Sequence, residues 1–180
     1  PKGPAKDGKP RLLVSDMTVD LVVEAKVDTP AYREGFERGA PMPDGWTKRG
    51  GVTVFKAGKA AFKGTGTLSL ARGFDQRNEE TSATGSTFPA APGPWQVSGA
   101  TMTRLHSPDN SYHGAIRIQA LNPGGEVIES AEVVVATGRT TWKSFSKRVE
   151  LPRGTAKARF VAGLKKTYGT FLVDELAASR

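Results

Sequence analysis

The chain has 180 residues and a net charge of +8, with 21 glycines, 12 prolines, 8% aromatics and no cysteine. Disulfides and thiol chemistry are therefore excluded, no apolar run approaches the roughly 20 residues of a membrane-spanning helix, and helical apolar spacing is absent, so the composition points to short strands and many turns. Residues 1–11, "PKGPAKDGKPR", read as a flexible linker, and no signal peptide is visible. Residues 12–30 are rich in valine and read as an extra N-terminal strand, with Asp16 at a turn or bulge, or as the remnant of a preceding domain. "GVTVFKAGKAAFKGTGTLSLAR" predicts two strands around Gly-rich turns. Residues 73–93 form an irregular loop with a weak strand near Ser86–Phe88. Six strand-like segments follow: "WQVSGATMTRL", "GAIRIQAL", "EVIESAEVVVA", "WKSFSKRVEL", "AKARFVAGL" and "GTFLVDEL". Asn122-Pro123-Gly124-Gly125 marks a hairpin between two of them. The class is all-β, with two antiparallel sheets packed face to face.

Catalytic signatures are weak. The two histidines, His106 and His113, lie in "HSPDNSYHG" at a spacing that matches no familiar metal site. There is no Gly-x-Ser-x-Gly elbow and no phosphate loop. Asp174 and Glu175 are adjacent, and strand alternation sends adjacent side chains to opposite faces, so they are not expected to form a facing acid–base couple. Alternation also puts Asp174 on the face of Leu172 and Leu176, which raises the question of what neutralises it if that face is buried.

A set of short pieces in order carries more information. Gly35-Phe36-Glu37 comes first, then Asp44-Gly45-Trp46 and a Gly-rich turn into Leu68-Ser69-Leu70. "PGPWQVSGATM", the Asn122–Gly125 turn, the Trp142-led strand and the closing "FLVDEL" follow. Over residues 31–180 this resembles the carbohydrate-binding modules with a galactose-binding-like jelly roll. It departs from their pattern in lacking an Asn before Gly35 and in closing on Asp-Glu.

The resemblance implies a jelly-roll β-sandwich that binds a polysaccharide or oligosaccharide without catalysis. It implies an accessory domain beside other domains of a secreted or cell-surface enzyme. It also implies a structural calcium ion (Ca2+) where Glu37 approaches Asp174, with carbonyls from the turn at Lys63 and Gly64. The other reading is that Asp174 pairs with a Lys or Arg, or accepts hydrogen bonds from turn amides.

Sugar recognition needs an aromatic face for ring C–H groups and polar side chains for hydroxyls. Tyr112, in the segment that carries His106 and His113, and Tyr168, in "KKTYG", are loop aromatics and ligand candidates, and the two histidines are expected at the surface or against the sugar. Arg104, Arg117 and Gln119 alternate with apolar residues and are expected to line one open sheet face. Trp46 is expected in the core, Trp142 in the core or at a rim, and Trp95 at a sheet edge. The basic balance tilts ligand preference toward acidic or sulfated chains. No nucleic-acid module accompanies it. A protein-docking or structural sandwich without sugar affinity fits the same pattern.

Overall fold

A computed structural model describes residues 30–39, 41–57, 60–77, 79–106 and 111–180. The linker at 1–11 and residues 12–29 of the proposed extra strand lie outside the described residues. Every strand pairing found is antiparallel, and the described residues contain no α-helix.

The first sheet contains β3 (Val52–Lys56), β4 (Gly66–Arg72), β7 (Gly93–His106), β10 (Lys143–Leu151) and β12 (Tyr168–Ser179), in the order β10-β7-β12-β4-β3. The short β1 (Tyr32–Glu34) also joins β12. The second sheet contains β2 (Thr47–Arg49), β5 (Thr81–Thr84), β8 (His113–Leu121), β9 (Val127–Ala136) and β11 (Lys157–Lys165), in the order β2-β5-β11-β8-β9. Here β6 (Phe88–Pro89) pairs with β11. The weak strand expected near Ser86–Phe88 is thus a two-residue strand, preceded by the longer β5.

Period-two alternation explains the core. On β8, Ile116, Ile118 and Ala120 point inward and meet Ala162, Phe160 and Ala158 of β11 as direct cross-strand partners. From the first sheet, Val97, Leu105, Leu68, Leu70, Phe171 and Val173 fill the same interior. Trp46 is buried there against Phe36, as the sequence suggested. Trp95 is also buried, on an interior strand and not at a sheet edge, and its Nε1 donates to the Ala91 carbonyl at 2.9 Å. The sheets approach closely at Gly114, where a Cβ would stand 2.8 Å from the Phe171 ring.

The last strand is where alternation breaks. Residues Gly169–Val173 pair with β4, whereas Leu176–Ala178 pair with β1. Between them lies a bulge at Asp174–Ala177, with Glu175 in the left-handed region at φ 51°. The extra residue shifts the phase. Leu172 and Asp174 point away from the core, and Leu176 turns back into it. Asp174 therefore shares a face with Leu172 and not with Leu176, which corrects the simple alternation.

Candidate functional site

The bulge creates an acidic cluster. Carboxylate oxygens of Glu37, Asp174 and Glu175 lie within 4.8 Å of one another. Adjacent Asp174 and Glu175 were expected on opposite faces, and the left-handed Glu175 brings them together instead. Asp174 is fully buried. Its Oδ2 accepts from the Lys63 amide at 3.2 Å and its Oδ1 from the Glu175 amide at 2.8 Å. Glu37 Oε2 accepts from the Thr65 amide at 2.7 Å and the Thr65 hydroxyl at 3.1 Å. The 63–65 turn thus presents amides to the acids where carbonyls were expected. Gly64, at φ +62°, is required there because a Cβ would collide with the Glu37 carboxylate. Glu175 is paired with Arg33 at 2.6 Å, and Lys63 Nζ stands 3.9 Å from it.

These environments act in opposite directions. Burial pushes the Asp174 carboxyl up to about 6, assisted by the nearby Glu175 and Glu37 charges and opposed by its two amide bonds. The Thr65 amide holds Glu37 below the ordinary carboxylate range. Three hard oxygen donors in this space, one of them buried, fit a hard divalent cation chemically. Phe36 adds strain beside Glu37, since a bulky residue at φ 57° is held there only by its surroundings.

The same bulge and turn shape one wall of a cleft on the outer face of the first sheet. Register places outward residues in rows across the strands: His106 opposite Tyr168, Arg104 opposite Thr170, and Met102 opposite Leu172, with Ser69 beyond it. Phe55, Ser69, Met102, Thr103, Arg104, Thr170 and Leu172 line a depression of about 210 Å³. Beyond the bulge, Phe62, Ser98, Ser144 and Glu175 help to line a second depression of about 320 Å³. Phe62 packs against Trp142 at 5.8 Å, and Trp142 Nε1 donates to the Ala60 carbonyl at 2.8 Å. Trp142 is therefore a half-buried rim residue and not part of the core. At the opposite end of the rows, His106 and Tyr168 stack at 4.8 Å, and Phe74 meets the Tyr168 ring edge-on at 5.2 Å. Arg72 anchors that end from beneath. It is buried and donates to the carbonyls of Arg77, Thr167 and Leu164 and to the Thr81 hydroxyl.

Of the predicted ligand residues, Arg104, His106 and Tyr168 fall together on this face. Arg117 and Gln119 do not. They belong to β8 in the second sheet, where Arg117 Nε lies 3.5 Å from Glu132 and Gln119 accepts from Arg159 Nε at 2.9 Å. Alternation fixes which face of a strand is polar but not which sheet the strand joins, so grouping them with Arg104 is corrected. His113 is buried, with Nε2 3.8 Å from Glu132, and Tyr112 is half-buried in the turn before β8. Phe55, Phe62, Met102, Trp142, Thr170 and Leu172 were missed as site residues. The available signal was an apolar residue in the polar phase of a strand, as Phe55 is after Val52 and Val54.

No protein-family model matches the sequence, and no curated protein sequence matches it. Solved structures do match. The enzymatically active domain of bacteriophage CBA120 tailspike protein 4 superposes with a TM-score of 0.59 at 13% identity, over 76% of this chain and 19% of that chain. The CBM22-1 xylan-binding domain from Paenibacillus barcinonensis Xyn10C gives 0.56 at 16% identity, over 86% and 96%. TmCBM61, in complex with beta-1,4-galactotriose, gives 0.52 at 21% identity, over 81% and 94%. The chain has the jelly-roll β-sandwich fold of carbohydrate-binding modules.

The buried carboxyl yields a pH prediction. With its folded pKa raised from 3.8 to about 6, Asp174 retains a proton that the unfolded chain releases. That contribution is complete below about pH 4 and is lost as pH rises through 6. In chelator-treated protein, urea unfolding from pH 4 to 7.5 should show wild type losing on the order of 2–3 kcal/mol relative to Asp174→Asn. Parallel curves for the two proteins would contradict the assignment.

Proposed function

We propose that this chain is a non-catalytic polysaccharide-binding module, an accessory domain of a larger secreted carbohydrate-active enzyme, and that a glycan lies along the outer face of the first sheet. The observation that carries the reading is the cleft itself. Met102, Leu172 and Phe55 supply an apolar floor, Phe62–Trp142 and His106–Tyr168–Phe74 supply aromatic walls at its two ends, and Arg104, Thr170 and Ser69 supply hydroxyl partners. A pyranose needs these two kinds of surface together: carbon for its C–H face and directional polar groups for its rim. Structural neighbours described as a xylan-binding domain and as a galactotriose complex support the assignment.

The carboxylates argue against hydrolysis. A glycosidase needs two carboxyl groups open to one substrate bond. Here Asp174 is sealed beneath the 63–65 turn, and Glu175 is held by Arg33. The cluster serves architecture. Glu37 and Asp174, joined by Glu175, would hold a structural calcium ion that offsets the cost of a buried carboxylate and fixes the turn carrying Phe62. The strained Phe36 and Glu175 on either side are consistent with such a clamp.

Affinity electrophoresis against neutral and acidic polysaccharides tests the main reading. At least one polysaccharide should retard the wild type, and Trp142→Ala and Tyr168→Ala should each weaken that binding by about tenfold or more. Absence of retardation by any polysaccharide would support a protein-docking sandwich instead. For the cation, titration calorimetry of chelator-treated protein should show one calcium site that Asp174→Asn removes. Calcium at a hundredfold excess over its Kd should add about 3 kcal/mol of stability; an unchanged Tm would refute the site.

A further inference from the structure

One feature of the cleft is unexplained by a neutral sugar. Arg139, on the loop between β9 and β10, forms an isolated antiparallel bridge with Arg104 of β7. The flanking bonds run from the Leu105 amide to the Gly138 carbonyl at 2.8 Å and from the Thr140 amide to the Thr103 carbonyl at 2.9 Å. The two arginines therefore make no backbone bonds to each other. They occupy the closer type of antiparallel pair, with Cα atoms about 4.5 Å apart and side chains on one face. Thr140 fastens the loop further, because its hydroxyl accepts from the Thr103 amide at 3.1 Å.

Both arginines are exposed, and like charges directly opposite each other are unfavourable. Among the described residues neither guanidinium has a hydrogen-bond or ion-pair partner. Contrast the second sheet, where Arg49, Arg117 and Arg159 are engaged by Glu80, Glu132 and Gln119. The unpaired arginines also sit in the ligand face itself. Thr170 is their neighbour in the same row, the Met102–Leu172 floor lies one row to one side, and the His106–Tyr168 stack lies one row to the other.

We propose that the glycan bound in this cleft is anionic, and that Arg104 and Arg139 together clasp a carboxylate of a uronic acid or a sulfate ester on it. This rests on the sugar-binding reading above and narrows its ligand class. Two planar forks converging on one oxyanion satisfy donors that a neutral hydroxyl would leave mostly unmatched. The ring bearing the anion then places its C–H face on the adjacent apolar row.

The test compares polysaccharides at matched salt: xylan and dextran as neutral chains, glucuronoxylan and polygalacturonate as carboxylated chains, and dextran sulfate as the sulfated chain. Diffuse attraction by a basic protein is controlled with Arg153→Gln/Lys157→Gln, which removes the same charge from exposed positions away from the cleft. Arg104→Gln/Arg139→Gln should cost the carboxylated or the sulfated chains, whichever class binds tighter, at least about tenfold more affinity than it costs the neutral chains, which lose only the hydroxyl contact of Arg104. The control pair should stay within about twofold on every chain. Equal losses in both double variants, or neutral binding as tight as anionic binding, would overturn this inference while leaving the sugar-binding reading intact. No retardation by any chain would overturn both.

Discussion

A carboxylate buried on the outward side of a sheet dictates how this molecule is built. Asp174 belongs to β12, the strand that joins most of the first sheet, at the point where its neighbour changes from β4 to β1. An ionised oxygen pair there must be met by donors or cations, since burying it unpartnered is expensive. The amides of Lys63 and Glu175 meet it, which requires both a bulge in the strand and a turn folded over it. The turn places Phe62 against Trp142 and so builds one end of the cleft.

The two outer faces of the sandwich differ in a way that follows from their polar accounting. On the second sheet, the arginines are engaged by acids or by an amide across neighbouring strands, and the depression there is lined mostly by hydroxyl and charged residues. Such a face is already satisfied. On the first sheet, carbon surface lies open between two aromatic ends, and Arg104 and Arg139 beside it lack partners among the described residues. Exposed apolar surface beside unmatched donors marks a place where a ligand gains more than water does.

Much of this was legible in the sequence. The strands from Trp95 onward and the Asn122–Gly125 hairpin follow from alternation and turn chemistry, and the meeting of Glu37 with Asp174 is what the resemblance to the carbohydrate-binding modules implies. The cleft was legible only in part. Arg104, His106 and Tyr168 come together because β7 pairs with β12, a register that no local pattern encodes. Arg117 and Gln119 have the same local appearance as Arg104 yet lie on the opposite sheet. The bulge was also hidden: Glu175 is an ordinary residue in a rare conformation that nothing in its local sequence announces. Trp142 reads as core or rim until the partner that fixes it at the rim, the Ala60 carbonyl, is located far away in the chain.

The claim that one face alone is the ligand surface is open to direct mapping. Amide and indole NMR shifts of isotope-labelled protein, titrated with xylohexaose, galactotriose and a galacturonate oligosaccharide, report where a sugar lands. For whichever of these binds, the largest perturbations should cluster at Phe55, Met102, Arg104, Thr170, Leu172 and the Trp142 indole. Perturbations centred instead on Thr84, Arg117, Gln119 and Arg159 would place the sugar on the second sheet and contradict the account.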